Sequence, residues 1–381
     1  MQLALYGGFG EKGRTCLGIE ADGFRLLLDA GIKTSERGRD YYPAISDDEL
    51  AATDALVITH AHEDHVAGLG WCVAHGFTGR LLMTRETAGE VDSMLVAYAD
   101  TAQRSAARKL APGCLTPGAR VALGPLRIVA GRSGHVVGGV WCQVGGDARS
   151  VVYCSDVVPA SPVFAMDPIP RCDAIVLDAS YGDDDVPAQD RAQAVRDWVA
   201  AQPQGCILPT PLSGRSAELL AIVPGPIALA PGMREALQTQ IAASGWLIGG
   251  GDRRLAKRLA LASDWKKGAA LPRAALICHD GMGIAGPARE ILATAAAQGH
   301  PVLFTGHLPA DSPGERMLAA GKAAWLRLPT HPTLSENVAI AATGAASVVV
   351  GHSCDRATLT RLKRHIPRLR ADLATGDRLE L

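Results

Sequence analysis

Short apolar runs that end in turn residues recur through the first 180 residues of the chain. Each run has the length of a strand, and continuous apolar character over so few residues is typical of strands buried on both faces. We predict strands at 26–29, 55–59, 81–83, 126–129, 150–154 and 174–177. A longer stretch at 88–110 has the helical period. The pattern therefore predicts a layered α/β protein in which helices cover the faces of sheets.

The pattern changes at about residue 187, where helical segments begin to alternate with single strands. We predict helices at 190–201, 216–222, 234–242, 253–262 and 288–297, and strands at 206–208, 274–278 and 302–304. Such alternation is typical of βαβ units, so a second domain is predicted over 187–319. A last strand is predicted at 346–350, followed by a basic helical segment at 357–365.

The composition is that of an ordinary globular protein. Hydrophobic residues make up 48% and charged residues 20% of the chain, which excludes a disordered, collagen-like or coiled-coil protein. The net charge of −1 gives no support to a polybasic nucleic-acid binder. The nine cysteines include no C-x-x-C pair and lie in apolar runs, which indicates buried thiols in a reducing compartment. With no signal peptide and no membrane span apparent, we predict a cytoplasmic protein.

A cluster of metal-ligand side chains follows the predicted strand at 55–59. It reads His60-Ala61-His62-Glu63-Asp64-His65, and imidazole and carboxylate groups at this spacing suit Zn²⁺ or Mn²⁺. Two later residues can complete the coordination. His135 is flanked by glycines that let the backbone bend close to a metal, and Asp156 follows a strand, where its carboxylate can bridge two ions.

An HxHxDH motif, a glycine-flanked histidine and a strand-terminal aspartate together resemble the metallo-β-lactamase fold. The resemblance implies a four-layer αββα architecture with two metal ions, predicted to be Zn²⁺ with Mn²⁺ as the alternative. It implies that one ion is held by His60, His62 and His135, that Asp64 and His65 help to hold the other, and that Asp156 bridges them. Asp29 matches the early aspartate that supports the motif without binding metal.

The second half of the chain resembles the β-CASP nucleases, which include ribonuclease J and the endonuclease of mRNA 3′-end cleavage. Asp178-Ala179-Ser180-Tyr181-Gly182 is similar to the family's E-S-T-Y-G motif, with aspartate in place of glutamate. The stretch from 206 to 220 resembles the family's strand, phosphate-proximal loop and helix. The segments at 279–286 and 302–307 also match in order. The resemblance implies an inserted α/β cap domain.

Two late histidines, His331 and His352, lie where the β-CASP family has its own. The family usually reads His-Gly at the second position, whereas this chain reads Gly351-His352. Both histidines are needed beside a site built by 60–156, so the chain must return to the first domain. We therefore predict a discontinuous metallo-β-lactamase domain over 1–186 and 320–381, with the cap at 187–319.

The resemblance also implies roles for single residues. His352 would be the last metal ligand, and Asp64 would act in catalysis as well as in metal binding. His331 would donate a proton to the leaving 3′ oxygen, and Asp178 would position the leaving group or fix the tautomer of His331. Ser213 and Arg215 precede a helix and are candidates for substrate phosphate binding, with a surface arginine in a helix cap as the alternative for Arg215.

Three classes of function fit these residues. A metal-dependent nuclease acting on single-stranded RNA is favoured, with a DNA nuclease of the same family as the nearest alternative. A small-molecule hydrolase, such as a thioesterase or lactamase, would not need a second domain, and a non-catalytic scaffold would not need the full ligand set. Aromatic residues are only 4% of the chain, so we expect binding directed at the RNA backbone. Endonuclease or 5′-exonuclease action, and a homodimer, stay open, and no membrane partner is expected.

Overall fold

The computed structural model describes residues 1–381 and contains nineteen strands. In chain order they are β1 Gln2–Gly7, β2 Cys16–Ala21, β3 Phe24–Leu28, β4 Ala55–Val57, β5 Arg80–Met83, β6 Gly113–Cys114, β7 Arg120–Leu123, β8 Leu126–Arg132, β9 Val140–Gly145, β10 Ser150–Tyr153, β11 Ala174–Asp178, β12 Cys206–Pro209, β13 Ile227–Leu229, β14 Ser263–Asp264, β15 Ala275–Cys278, β16 Leu303–Phe304, β17 Ala324–Trp325, β18 Val348–His352 and β19 Arg378–Glu380.

Thirteen α-helices connect and cover these strands. They are α1 Asp47–Ala51, α2 Glu63–Val66, α3 Leu69–Ala74, α4 Arg85–Tyr98, α5 Thr101–Ala107, α6 Ala188–Ala200, α7 Arg215–Ile222, α8 Met233–Ala242, α9 Gly251–Leu261, α10 Gly286–Gln298, α11 Pro313–Ala319, α12 Leu334–Gly344 and α13 Arg356–Leu362. None of them combines the length and the apolar character that crossing a bilayer requires.

Two large sheets form the centre of the first domain. One has the order β19-β1-β2-β3-β4-β5-β6, and the other has the order β18-β11-β10-β9-β8-β7. Side chains alternate along each strand, so each sheet has an inner and an outer apolar face. In β3, Leu26 and Leu28 belong to the core shared with the second sheet, whereas Leu27 packs with the helix residues Leu69 and Leu95.

Helices cover the outer face of the second sheet as well. Ile175 and Leu177 of β11 pack with Leu334 of α12 and Leu359 of α13 in a separate apolar cluster. The layers therefore run helix, sheet, sheet, helix, which confirms the predicted αββα arrangement.

The stretch at 88–110, for which the helical period was observed, contains two helices, α4 and α5. The first helix ends before Ala99, whose backbone is extended, and Asp100 then caps the second helix. Its side chain accepts a hydrogen bond from the backbone N–H of Gln103 at 2.8 Å. The Asp100 cap satisfies helix-end N–H groups, and this local cause of the break is not visible in the apolar period alone.

The end of the chain returns to both large sheets. Strand β18 lies parallel to β11, with Asp178 and His352 in register, and β19 pairs antiparallel with β1. A smaller parallel sheet of order β12-β15-β13-β14 lies between these two ends of the sequence, together with helices α7 to α10. The boundary at residues 186/187 and the one at 319/320 stay predictions.

Candidate metal centre

Residues of the predicted metal centre follow the carboxyl ends of strands in the two large sheets. Asp29 follows β3, and His60 lies just beyond β4. In the facing sheet, His135, Asp156 and His352 lie at or just after the ends of β8, β10 and β18. Because these strands run in the same direction within each sheet, their ends meet at one edge of the sandwich. The fold thus brings together residues that are far apart in the sequence.

Three imidazoles and one carboxylate converge at this edge. Ligand atoms of His60, His62, His135 and Asp156 all lie within 4.8 Å of one another. The His62 Nδ1 atom lies 3.1 Å from His60 Nε2 and 3.0 Å from His135 Nε2. His60, His135 and Asp156 are buried, at 1%, 5% and 4% exposure. A single ion at the centre of this group could bind all four residues.

The donor set fits a divalent cation. The buried atoms His65 Nε2 and Asp156 Oδ1 lie 3.2 Å apart without forming a hydrogen bond, and neither has another hydrogen-bond partner. Leaving buried polar atoms unpaired is costly, so such a cluster is typical of a site that binds an additional group. Imidazole nitrogens and carboxylate oxygens are ligands that Zn²⁺ and Mn²⁺ accept.

At His60, His135 and Asp156, the favoured protonation states are those that metal ligands need. Burial holds the pKa of His60 and the pKa of His135 well below the usual value, which keeps both rings neutral. Burial opposes ionisation of Asp156, but the nearby His65 and His331 outweigh it and hold the pKa of Asp156 well below its ordinary value. Neutral imidazoles and an ionised carboxylate can bind a metal without first losing protons.

Asp29 accepts hydrogen bonds from several residues around the centre. Its carboxylate is fully buried and accepts hydrogen bonds from the backbone N–H of Thr59 at 2.7 Å and from the hydroxyl of Tyr153 at 2.8 Å. The Nδ1 atom of His65 lies 2.8 Å from Asp29 Oδ2, which fixes the ring. His65 Nε2 then lies 3.2 Å from Asp156 Oδ1 and 3.8 Å from Asp64 Oδ2.

A second group of ligand atoms shares Asp156. Atoms of Asp156, Asp178 and His331 lie within 4.8 Å of one another. His331 Nδ1 is 2.8 Å from Asp178 Oδ2, and Ser180 donates to the other carboxylate oxygen from its backbone N–H and its hydroxyl. Burial lowers the pKa of His331, but Asp178 and Asp156 outweigh it and raise that pKa to about 10. The ring is therefore oriented by Asp178 and charged in the metal-free protein.

His352 lies beside the centre with both ring nitrogens occupied. Its Nδ1 is 2.8 Å from the Ser353 hydroxyl, and its Nε2 is 3.1 Å from the carbonyl oxygen of Ser155. Its ring centroid is 6.3 Å from that of His65. To bind a metal, His352 would have to give up one of these hydrogen bonds, and its role as a ligand stays a prediction.

The two candidates for phosphate binding have different surroundings. The Ser213 hydroxyl donates to Glu90 Oε1 at 3.0 Å. Arg215 begins α7, and its guanidinium donates to the hydroxyl of Thr330 at 3.2 Å and lies against Gly306. Its Nε atom is buried without a hydrogen-bond partner, although the residue as a whole is only half-buried. The phosphate-binding roles of both residues stay predictions.

Several residues of the centre carry no recognisable signal for a site role when read alone in the sequence. Thr59 and Tyr153 hold the Asp29 carboxylate. The Tyr181 hydroxyl accepts a hydrogen bond from the backbone N–H of Thr330, and its ring meets that of His331 edge to face at 5.1 Å between centroids. Only Tyr181 lies in a motif that sequence reasoning singled out.

The chain is similar to several known proteins. A family model described as the β-lactamase superfamily domain matches residues 24–208. The transcription termination factor FttA of Methanococcus maripaludis is 25% identical over 249 residues, which cover 58% of this chain and 39% of that protein. The ribonuclease TTHA0252 of Thermus thermophilus is 27% identical over 242 residues, covering 58% of this chain and 54% of the ribonuclease.

A further sequence relative and a solved structure are also similar to this chain. The cleavage and polyadenylation specificity factor 73 of Drosophila melanogaster is 26% identical over 247 residues, which cover 58% of this chain and 35% of the fly protein. A crystal structure of a protein of unknown function from Enterococcus faecalis V583 has a TM-score of 0.65 at 13% identity and covers 100% of this chain and 99% of its own. That match is a likeness of fold alone.

The fold and the histidine cluster resemble those of the metallo-β-lactamase superfamily, whose domain model matches residues 24–208. Within that class, the chain is similar to β-CASP RNA nucleases, as the relatives FttA, ribonuclease TTHA0252 and cleavage factor 73 indicate. The matched region spans between about a third and a half of the length of these curated relatives.

Proposed function

We propose that this chain is a metal-dependent phosphodiesterase that cleaves RNA. The observation that carries the proposal is the convergence of His60, His62, His135 and Asp156 within 4.8 Å around unpartnered ligand atoms. The relatives named as a ribonuclease and a cleavage factor support RNA as the substrate. The preferred substrate is single-stranded RNA, held between the metallo-β-lactamase domain at 1–186 and 320–381 and the β-CASP cap at 187–319.

The ligand set would accommodate two ions, Zn²⁺ or Mn²⁺. His60, His62 and His135 would hold one, Asp64, His65 and His352 would hold the other, and Asp156 would lie between them. When bound, divalent ions supply Lewis-acid chemistry for phosphodiester hydrolysis. Asp29 would keep the ring of His65 in the orientation that metal binding needs, because it fixes Nδ1 and leaves Nε2 towards Asp156.

His331 is suited to hold a proton for the leaving 3′ oxygen. Its Nδ1 atom faces Asp178, so Nε2 is the nitrogen available to substrate. The side chain of His331 is 21% exposed, whereas Asp178 is fully buried, so substrate can approach only the histidine. Asp178 therefore acts as a positioning residue, and His331 acts as the general acid.

Arg215 and Ser213 would contact substrate phosphate from the cap side. A half-buried guanidinium with a buried, unpartnered Nε atom suits an anion, because charge-assisted hydrogen bonds gain strength where water is excluded. Burial lowers the pKa of Arg215, which indicates that an anion close to it would be favourable.

The experiment is a cleavage assay on labelled oligonucleotides, with RNA and DNA of one sequence and with free and blocked 5′ ends. We expect cleavage of single-stranded RNA that stops when a chelator is added. Cleavage of DNA in preference to RNA would replace the proposed substrate. Hydrolysis of a thioester or a β-lactam with no cleavage of either nucleic acid would overturn the proposal.

A further inference from the structure

A pocket of about 310 Å³ lies next to the metal centre but is not part of it. Its walls come from the loop after β10, from α6 and α7, and from the segment before His331. Val158 is two residues beyond Asp156, and Pro329 is two residues before His331, so the pocket wall reaches both halves of the centre. A volume near 300 Å³ with mostly apolar walls is typical of a small-ligand site.

The floor of the pocket carries one buried carboxylate, Glu218 on α7. Glu218 is 2% exposed, and its Oε2 atom has no hydrogen-bond partner. Around it the buried walls are apolar, and exposed residues form the mouth. The apolar floor consists of Val158, Ile222, Leu328 and Pro329, and the exposed mouth includes Ala160, Pro162 and Gln189. An acceptor without a partner, at the end of an apolar pocket, indicates a ligand that brings its own N–H donor.

The orientation of the carboxylate is fixed by Ser161. The backbone N–H groups of Val163 and Phe164 donate to the Ser161 oxygen at 3.2 and 3.0 Å. The hydroxyl hydrogen of Ser161 is therefore directed to Glu218 Oε1, at 2.7 Å. Of the two carboxylate oxygens of Glu218, only Oε2 has no hydrogen-bond partner.

We infer that this pocket binds a nucleobase of the RNA substrate that carries an exocyclic amino group beside a ring nitrogen acceptor, which is the edge of adenine or cytosine. The amino group would donate to Glu218 Oε2, and the flat ring would lie between the apolar walls. Guanine presents two adjacent donors and would need both carboxylate oxygens, but Ser161 holds one. A metal ion would need several oxygen ligands, which these walls do not supply.

Because the pocket matters only if the chain acts on RNA, this assignment rests on the proposed function. Burial raises the pKa of Glu218 to about 7, so at pH 8 the ionised acceptor form predominates. The rim supplies a cation as well. Arg196 lines the pocket, and its side chain donates hydrogen bonds only to Gln193, three residues earlier, so it is free to contact the phosphate of the bound nucleotide.

The direct test is a calorimetric titration of the metal-loaded protein at pH 8 with matched pairs of nucleoside 5′-monophosphates. Adenosine is compared with purine riboside, and cytidine with 2-pyrimidinone riboside, because each pair differs only in the amino group. We expect the amino form of at least one pair to bind roughly tenfold more tightly, the effect of one hydrogen bond to a charged acceptor. Equal affinities within both pairs would overturn the inference.

Two variants separate the acceptor from the shape of the pocket. Glu218→Gln keeps the bond to Ser161 through its carbonyl and places an amide N–H₂ where Oε2 was, so the preference within each pair should vanish. Ala192→Leu fills the pocket from α6 and should weaken the binding of both nucleotides of a pair equally. Glu235→Gln makes the same chemical change on an exposed part of α8 and should have no effect. A preference that survives Glu218→Gln would contradict the assignment.

A second readout uses a pool of random single-stranded RNA. We expect adenine or cytosine to be enriched at one fixed position relative to the cut, and we expect Glu218→Gln to remove that enrichment while cleavage continues. Cleavage with no base preference at any position would refute the pocket's role but not the proposed function. A nucleotide preference in the titration without any RNA cleavage would refute the proposed function and leave the pocket as a nucleotide site.

Discussion

Asp29 orients several residues around the predicted metal centre. Its carboxylate receives the backbone and hydroxyl groups of Thr59, the ring of His65 and the hydroxyl of Tyr153. Its backbone lies in the left-handed region at a φ of 64°, which asparagine tolerates nearly as well as aspartate. Asp29→Asn should therefore fold, while losing the charge that holds His65.

We expect Asp29→Asn to lower the affinity for the metal by roughly 10- to 100-fold, the usual effect of losing a partner behind a ligand. Competition with a chromogenic chelator measures this affinity. The matched control is Asp22→Asn, which changes an exposed aspartate that also has a positive φ and should leave the affinity unchanged. An unaltered affinity in Asp29→Asn would show that His65 is held by other contacts.

His331 should affect the chemistry without affecting the metal. Because its Nδ1 atom is bound to Asp178, His331→Ala should lower the single-turnover rate of RNA cleavage by roughly 10²- to 10⁴-fold. The metal content by elemental analysis should stay that of the parent protein. His75→Ala, at an exposed histidine paired with Asp47, serves as the control. Loss of metal in His331→Ala would instead make His331 a ligand.

Glu218 should make the stability of the protein depend on pH. Burial raises the pKa of this carboxyl from 4.5 to about 7, so the folded state holds its proton more tightly than the unfolded state does. The resulting stability is fully present below about pH 4.5 and is lost as the pH rises through 7. Over this range the loss should be about 3 kcal/mol, from about 1.4 kcal/mol per pH unit.

The measurement for Glu218 is urea unfolding of the parent protein and of Glu218→Gln between pH 4.5 and pH 8. The glutamine does not titrate. As the pH rises over this range, we therefore expect the free energy of unfolding of the parent to fall by about 3 kcal/mol relative to that of the variant. Groups common to both proteins cancel in the difference. A difference that does not change with pH would mean that Glu218 is solvated or paired in solution.

At the scale of single elements, close contacts between loops determine where the ligands lie. The loop after β3 packs so tightly against the segment of α2 that a Cβ atom on Gly31 would lie 1.7 Å from the carbonyl oxygen of Asp64. The same carbonyl accepts a hydrogen bond from the N–H of Thr15 at 2.9 Å. A side chain at position 31 would therefore displace the segment that carries Asp64 and His65.

We expect Gly31→Ala to destabilise the protein by about 1–3 kcal/mol and to reduce the bound metal, because the overpacked loop must move. Thermal unfolding and elemental analysis of one preparation test both effects. Gly89→Ala is the matched control, since a Cβ atom there meets nothing within 4 Å and alanine favours the helix α4. Normal metal content in Gly31→Ala would contradict the proposed link between this contact and the ligands.

The strands that carry the centre could be predicted from the sequence because their signals are local. Apolar runs at 55–59 and 174–177 correspond to β4 and β11, and the HxHxDH motif lies within six consecutive residues. The environment of Arg215 could not be predicted in this way. Its burial depends on Gly306 and Thr330, roughly 100 residues further along the chain, and no local pattern records that contact.

Glu218 illustrates the same limit. In the sequence it lies in the stretch 206–220 that resembles the β-CASP nucleases, but nothing there predicts its burial, because a glutamate in a helix is usually exposed. Its burial and its fixed orientation come from Ser161, 57 residues earlier in the chain. The contact of His352 Nε2 likewise depends on Ser155, 197 residues away. Such pairings become visible only when the fold brings the elements together.

At the scale of the whole molecule, the return of the chain completes the centre. Strand β18 places His352 beside Asp178, and the segment before α12 carries His331 to the same edge. The relatives match over 58% of this chain, and the E. faecalis structure matches its full length. We therefore place the proposed metal site, used for RNA cleavage, at this edge.

The most direct test of that claim is to follow RNA cleavage while metal is removed and returned, with the bound metal counted in each sample. We predict about two transition-metal ions per chain in the active protein, loss of cleavage when a chelator removes them, and recovery when Zn²⁺ or Mn²⁺ is added. Fewer than about half an ion per chain, together with undiminished cleavage in excess chelator, would contradict a metal-dependent active site.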